Sequence, residues 1–298
     1  SQFEMSDARR CFPCFDEPCF KIPYQLTVAA PASQRVYNNS PEVSKKSEGD
    51  WVVHTFAPTL PIPSYLVALA VGPFDSVPVK GMSVPGSIVA PQGKLGLARF
   101  SQSETPAILR TLEDYFGTKV AYPKLDQLAI TEFPFGAMEN PGMVTYREDT
   151  ILLNEKTALL PNRVEVLQTI AHELAHQWFG NLVTMKWWDD LWLNEAFATW
   201  MADKVTQKLH PELQVDMHTW QNDVMVLDAN LTTRPIRKQV KTDADIMDGL
   251  GLAYAKGCAV LTMVERWLGE KSFQKGMRIY MKRHRLGNAV ADDLWGAL

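Results

Sequence analysis

The sequence predicts an α+β fold in which the end of an antiparallel β-domain precedes a mainly helical domain. Three segments rich in Val, Tyr and Thr, bounded by Pro, Ser, Asn and Gly, indicate strands: residues 24–29, 51–56 and 65–71. From residue 162 onward, the apolar residues recur at helical spacing instead. We therefore predict a β-domain at residues 1–75 and a second domain at residues 76–298.

The second domain is predicted to be mixed at its start. One helical pattern lies at about 103–116, among short extended segments at 87–90, 127–131 and 143–146. The first strand signals have no preceding sheet to join, and the last helical pattern, at 292–295, has barely begun when the sequence stops. We expect the chain to be a fragment of a longer protein.

The composition is that of a globular protein. With 46% hydrophobic residues, a chain of 298 residues can bury a sizeable core. The net charge of -4 and the scattered Lys and Arg residues argue against a nucleic-acid partner and are compatible with peptide ligands. No apolar run reaches the roughly 18 residues of a membrane span, and the first ten residues lack the apolar core of a secretory signal. We predict no membrane segment in this chain and a cytoplasmic location.

Three of the four cysteines, Cys11, Cys14 and Cys19, crowd into the segment CFPCFDEPC. Such a cluster could form a metal knuckle, but no second Cys/His pair lies at zinc-finger spacing, and the segment is rich in Phe and Pro. Reduced, partly buried thiols are therefore the preferred interpretation, and they fit a cytoplasmic protein.

The chemistry of the second domain centres on one predicted buried helix. Asn162 followed by Glu165 resembles a capping box, the apolar residues that follow have helical spacing, and Gly180 can close the helix. His172 and His176 are four residues apart, so one face of the helix presents both imidazoles. This is the spacing needed to bind a single tetrahedral Zn²⁺.

Carboxylates at two further positions suit such a site. Glu173, beside the histidines, can take a proton from a water that the metal has acidified and pass it to a leaving amine. Glu195, on a helix that Asp189 or Asp190 caps, is the best candidate for the third ligand, and a His₂Glu set leaves a fourth position open for catalysis. The structural alternative is that the histidines merely sit in a helix and Glu195 makes an internal salt bridge, since HExxH alone also occurs by chance.

Taken together, the motifs resemble those of the gluzincin aminopeptidases of the aminopeptidase N family. HELAH at 172–176 is followed after eighteen residues by Glu195, and GAMEN at 136–140 matches the exopeptidase motif of that family. YAKG at 254–257 resembles its Tyr-x-Lys-Gly motif, and the segment 7–18 resembles part of its N-terminal β-domain. The resemblance implies a thermolysin-like catalytic domain, one Zn²⁺ per chain, and peptide substrates with a free N-terminus.

The resemblance also implies how the substrate is held. Glu139 and Glu4 bind its α-ammonium at a fixed distance from zinc, which places the first peptide carbonyl on the metal. The backbone of Gly136 and Ala137 could also pair with the substrate as an added strand, which would explain the small residues at these two positions. One residue is then removed at a time.

Four further residues join the substrate site by the same resemblance. Met138 and Asn140 belong to the exopeptidase motif itself, whereas Gln2 and Phe135 fall where family members line the pocket for the first side chain. The ring of Phe135 either narrows that pocket or stacks on a substrate side chain, so the sequence leaves specificity open.

Tyr254 lies on a predicted helix, where the pattern alone allows a core aromatic residue. The resemblance implies instead that its phenol donates a hydrogen bond to the oxyanion formed when water attacks. The other four histidines, at 54, 210, 218 and 284, lack metal-type partners at useful spacing and are interpreted as structural or surface residues.

Two other functional classes remain open at this stage. A zinc endopeptidase would share the metal ligands and the general base but would cleave N-acetylated peptides. A peptide-binding module, lacking later domains, would hold zinc and ligand without turnover.

Overall fold

The computed structural model describes residues 2–213, 215, 217–231, 233–247 and 250–298, without the side chains of residues 217–221 and 223. The prediction that His218 is a structural or surface residue therefore concerns a side chain outside the described residues.

The N-terminal part contains two small antiparallel sheets. Its strands are β1 (Thr27–Pro31), β2 (Arg35–Asn38), β3 (Glu42–Glu48), β4 (Trp51–Phe56) and β5 (Leu69–Gly72). One sheet has the order β1-β4-β3, and β2 pairs with β5. The predicted antiparallel arrangement is confirmed.

Two strand predictions in this part differ from the structure. The strand expected at 65–71 starts late, because Ser64–Leu66 form a 3₁₀ turn after Pro63 and the extended segment is β5. Strand β3 was not predicted, since all seven of its residues, EVSKKSE, are exposed and show no apolar alternation. Backbone pairing with β4 holds it in place.

A five-stranded mixed sheet follows. Its strands are β6 (Phe74–Pro78), β7 (Ser87–Pro91), β8 (Asp126–Ile130), β9 (Ala137–Met138) and β10 (Met143–Arg147). The order is β6-β7-β8-β10-β9, with β7, β8 and β10 parallel and the two outer strands antiparallel to their neighbours. The three extended segments predicted in this region are the three parallel strands. The predicted division at residue 75 stays a prediction.

The rest of the described chain is mainly helical, as predicted. The helices are α1 (Arg99–Phe116), α2 (Leu160–Ala175), α3 (Trp192–Leu209), α4 (Met217–Asp228), α5 (Asp243–Met247), α6 (Leu250–Leu268), α7 (Glu270–Arg283) and α8 (Ala291–Trp295). Strands β11 (Thr184–Met185) and β12 (Asn288–Ala289) form a short parallel pair. Helix α3 packs against α2 on one side and α6 on the other, which makes it the centre of the domain.

The helix ends differ from the predicted caps. Asn162 is the third residue of α2, and its side-chain oxygen accepts a hydrogen bond from the backbone N–H of Leu159. The helix ends at Ala175, before Gly180. Asp189 and Asp190 do not cap α3, because one accepts a hydrogen bond from the backbone of a distant segment and the other pairs with an arginine of that segment.

Aromatic side chains fill the core around α3. Trp178, Trp200, Phe179 and Phe197 are almost completely buried, and the rings of Phe179 and Phe197 stack with their centroids 4.1 Å apart. This packing fixes α2 against α3 just beyond the two histidines. Across the described residues, no helix combines the length and the apolar character that a bilayer crossing needs.

Candidate functional site

Three ligand-type side chains converge between α2 and α3. The Nε2 atoms of His172 and His176 lie 3.0 Å apart, and Oε2 of Glu195 lies 3.3 Å from the first and 3.5 Å from the second. His176 and Glu195 are buried, and His172 is partly exposed. The structure therefore brings together the three residues predicted to bind one metal ion.

The donor set suits a metal ion. Four-coordinate Zn²⁺ with ligands at about 2.0–2.2 Å separates neighbouring ligand atoms by roughly 3.3–3.6 Å. The two Nε2···Oε2 distances fall in or next to this range, and the Nε2···Nε2 distance is a little shorter. A small outward movement of one imidazole is enough to admit the ion.

Hydrogen bonds on the far side of each ring hold the two imidazoles. Nδ1 of His176 lies 2.9 Å from the carbonyl oxygen of Phe179, and Nδ1 of His172 lies 3.4 Å from Oγ1 of Thr199. The Thr199 hydroxyl in turn donates to the carbonyl oxygen of Glu195. With the proton on each Nδ1, both Nε2 lone pairs point at the metal position. Thr199 was not predicted, although it lies one helical turn after Glu195.

Further carboxylates surround this triad. Glu139 and Glu173, with His176, form a second group whose ligand-type atoms lie within 4.8 Å of one another. Within the described part of the chain, Oε1 of Glu139 and Oε2 of Glu173 are buried without a hydrogen-bond partner. Burying a polar atom without a hydrogen-bond partner destabilises the folded state unless a ligand or ion interacts with that atom.

The acids also change one another's proton affinity. Burial raises the pKa of Glu173 well above its usual value, and burial together with Glu139 does the same to the pKa of Glu4. Burial alone would lower the pKa of His176, but Glu139 and Glu195 raise it well above its usual value. A bound cation would favour the ionised form of these carboxyl groups, so the cluster suits a divalent cation beside an ammonium group.

A cavity of about 880 Å³ opens over the triad. It is lined by most of the predicted substrate and catalytic residues: Glu4, Phe135, Gly136, Ala137, Met138, Glu139, Glu173 and Tyr254. None of its described lining residues is Lys or Arg. The volume is in the range of ligand-binding pockets and is large enough for several residues of a peptide.

Two predicted substrate residues do not line this cavity. Asn140 is completely buried, its amide donates to the carbonyl oxygen of Leu66, and its side-chain oxygen accepts from Thr145. The amide of Gln2 donates to the sulfur of Met138 at 3.4 Å, and its side-chain oxygen accepts a hydrogen bond from the backbone N–H of Glu4. In this structure, Asn140 therefore supports the motif strand, and Gln2 contacts two residues that line the cavity, Met138 and Glu4.

Tyr254 reaches the site from α6. Its ring stacks on His172 with centroids 5.8 Å apart, and its side chain lines the cavity. Gly257, one turn later, lets α6 approach α3, because a Cβ added there would lie 2.5 Å from Cβ of Ala196. The glycine of the YAKG segment therefore lets the tyrosine approach the three candidate metal ligands.

A polar pair that was not predicted from the sequence lies at the end of the cavity beyond His172. Gln168 on α2 and Asp203 on α3 both line it, and the amide of Gln168 donates to Oδ1 of Asp203 at 2.8 Å. Gln168 lies one turn before His172, and Asp203 lies two turns after Glu195. The helical spacing is visible in the sequence, but the pairing of these two faces is not.

An HExxH helix, a glutamate on the next helix and a cleft above them define the class of the HExxH metallohydrolases. Comparison with known proteins identifies the family. Residues 100–298 match the peptidase family M1 domain, and residues 1–66 match the peptidase M1 N-terminal domain. The chain belongs to peptidase family M1.

The relatives are similar along this whole chain. A probable aminopeptidase 2 of Sulfurisphaera tokodaii is 37% identical over 302 residues, covering 100% of this chain and 38% of the relative. Aminopeptidase M1 of Arabidopsis thaliana is 38% identical, with 100% of this chain and 34% of the relative covered. Glutamyl aminopeptidase of Mus musculus is 38% identical, with 99% and 32% covered. The chain therefore spans about a third of the length of these relatives.

Proposed function

We propose that the protein is a zinc-dependent aminopeptidase that hydrolyses the first peptide bond of peptides with a free α-amine. The observation that carries the proposal is the pair of acids beside the triad, Glu139 and Glu4, of which Glu139 is buried with one oxygen unpartnered among the described residues. An ammonium group supplies the missing hydrogen bonds and charge. Family membership and the aminopeptidase relatives support the same activity.

His172, His176 and Glu195 would hold the metal. Glu195 suits a cation, because His176 and His172 lower its pKa despite its burial and keep it ionised. Bound Zn²⁺ would acidify a water and polarise the scissile carbonyl. Glu139 and Glu173 share His176 in their own cluster, but they lack a second imidazole and are better suited to protons and ammonium groups.

The chain's own residues would then perform three tasks. Glu4 and Glu139 hold the α-ammonium at a fixed position, so that the peptide bond after the first residue is the one that breaks. The backbone of Ala137, the first residue of β9, and of Gly136 just before it would pair with the substrate chain along this outermost strand of the sheet. Both contacts orient the peptide before any bond changes.

Proton transfer and charge stabilisation complete the mechanism. Glu173 accepts a proton from the attacking water and delivers it to the leaving amine. Among the described residues, no group donates a hydrogen bond to Oε2 of Glu173, so this carboxylate oxygen is free for the transfer. The phenol of Tyr254 donates to the oxygen on which negative charge develops.

Hydrolysis of paired fluorogenic aminoacyl amides, with a free or an acetylated amine, tests the proposal. Cleavage should be confined to the free amines, stop when a chelator removes the metal, return with added Zn²⁺ and be absent from a Glu173→Gln variant. Cleavage of acetylated substrates would favour a zinc endopeptidase. Zinc and peptide binding without turnover would favour a binding module.

A further inference from the structure

Three polar contacts connect α2 and α3 in succession along the cavity. Glu195 meets both histidines, Thr199 lies against His172, and Asp203 accepts a hydrogen bond from Gln168. The order along α2 is opposite to that along α3, so the helices run antiparallel here. The first two contacts serve the metal triad, whereas the third lies beyond it.

Asp203 is an unusual residue for its surroundings. Its side chain is 3% exposed and lines the cavity, and its hydrogen-bond partner among the described residues is the neutral amide of Gln168. In the part of the chain that the structure describes, Asp203 forms no ion pair with a basic side chain. The neighbouring Lys204 pairs with Glu265 and Glu270 instead. A buried carboxylate of this kind is stabilised by a cation that enters from the cavity.

The position of Asp203 relative to the amine-binding acids gives the direction of the peptide. Glu139 clusters with His176, at one end of the triad. Gln168 and Asp203 lie past His172, at the other end. A peptide whose α-amine contacts Glu139 and whose first carbonyl faces the triad therefore extends its leaving part toward Asp203.

We propose that Asp203, positioned by Gln168, forms a subsite that prefers arginine or lysine as the second residue of the substrate. This inference rests on the proposed aminopeptidase function. Val164, one turn before Gln168, and Ala202, next to Asp203, line the same cavity and contact the aliphatic stem of such a side chain. The charged head then reaches the carboxylate away from water, where the ion pair is strongest.

Distances along the helix fit this assignment. Asp203 is eight positions after Glu195, which places the two residues about 12 Å apart along the axis of α3. The Cα of the second residue lies about 2.4 Å from the scissile carbon, an extended arginine adds roughly 7 Å and an ion-pair contact adds about 3 Å. The sum matches the span, whereas a short acidic or hydroxyl side chain does not reach Asp203.

Peptide binding to a zinc-loaded Glu173→Gln chain tests the subsite without relying on turnover. Calorimetry compares Ala-Arg-Ala-Ala with Ala-citrulline-Ala-Ala, which has nearly the same shape but no charge. The arginine peptide should bind about 10-fold more tightly, which corresponds to about 1.4 kcal/mol. In the Glu173→Gln, Asp203→Asn double variant this ratio should fall below about twofold, while the matched control Glu48→Gln, an exposed acid on β3, should leave it unchanged.

Four results would overturn the subsite. They are a ratio near one in the parent chain, a ratio that survives Asp203→Asn, an equal drop with Glu48→Gln, and an arginine preference at the third residue that equals that at the second. Tight binding of free-amine peptides with a ratio near one contradicts the subsite alone. Failure of every free-amine peptide to bind contradicts both the subsite and the aminopeptidase proposal.

Discussion

The side-chain amide of Asn181 donates a 2.8 Å hydrogen bond to the backbone carbonyl oxygen of Glu139. The loop that follows α2 therefore holds the backbone of Glu139, whose carboxylate we propose binds the substrate amine. The carbonyl oxygen of Asn181 itself accepts a hydrogen bond from Lys21 at 2.9 Å. These contacts join the N-terminal segment, the metal helix and the GAMEN segment.

Replacing Asn181 tests this support. Asn181→Ala removes the stronger of two side-chain hydrogen bonds to the Glu139 carbonyl, the other coming from Gln177 at 3.3 Å. We expect kcat/KM for free-amine substrates to fall about 10-fold, mainly through KM, because the ammonium site loses its alignment. Steady-state kinetics measure the change, and Gln177→Ala should have the smaller effect. Unchanged KM in Asn181→Ala would contradict the positioning role.

The phenol of Tyr254 is expected to stabilise the transition state rather than the bound substrate. Tyr254→Phe keeps the ring that stacks on His172 but removes the donor. We expect kcat to fall about 100- to 1,000-fold, a loss of about 3–4 kcal/mol, with KM and zinc content unchanged. Tyr37→Phe, at a ring that packs against Phe74 on a different sheet, is the matched control. Full turnover in Tyr254→Phe would exclude the oxyanion role.

Asp203 is expected to reduce stability at neutral pH. Burial raises the pKa of Asp203 to about 6, and the facing groups are the neutral Gln168 of α2 and the Cys258 thiol of α6, whose pKa burial raises to about 12. An acid whose pKa is higher in the folded state binds more protons when folded, so stability falls as pH rises through about 4 to 6.

The Asp203→Asn variant separates this effect from other changes. It should be more stable than the wild type by about 1–3 kcal/mol at pH 7, and the difference should shrink toward zero near pH 4, where the folded wild type is protonated. Urea unfolding at both pH values measures it. A variant that is less stable at pH 7, or a difference that does not depend on pH, would contradict the ionised buried carboxylate.

Gly257 is expected to be required for close packing of α6 on α3. A Cβ at this position would lie 2.5 Å from Cβ of Ala196, so Gly257→Ala should destabilise the fold by about 1–3 kcal/mol. Gly251→Ala in the same helix is the control, since, apart from neighbouring backbone of α6, no atom of the described residues lies within 4 Å of its added Cβ. Alanine there should be neutral or stabilise by up to about 1 kcal/mol. Equal effects of the two variants in urea unfolding would contradict the packing argument.

The sequence was most informative where the chemistry depends on local spacing. His172 and His176 share a helix face because they are four residues apart, and periodicity assigned Glu195 and Tyr254 to helices that the structure contains. The antiparallel N-terminal strands were predictable for the same reason. Each of these inferences needs only the period of one helix or strand.

Contacts between elements were not predictable in this way. The pairing of Gln168 with Asp203, and of Asn181 with the Glu139 carbonyl, depends on how α2 lies against α3 and against the sheet. Strand β3 was missed because its side chains are all exposed, so its place depends on backbone pairing with β4. Asp189 was assigned to a helix cap because a local pattern allowed it, but a distant backbone N–H, that of Val240, is its partner.

We propose that Glu4 and Glu139 make a zinc peptidase remove one residue at a time from a free amine. Mass spectrometry of a ten-residue peptide, followed over time with the zinc-loaded chain, tests it most directly. We expect a ladder of products that lose successive N-terminal residues, and no cleavage of the same peptide after acetylation. Internal fragments, or equal cleavage of the acetylated peptide, would contradict it.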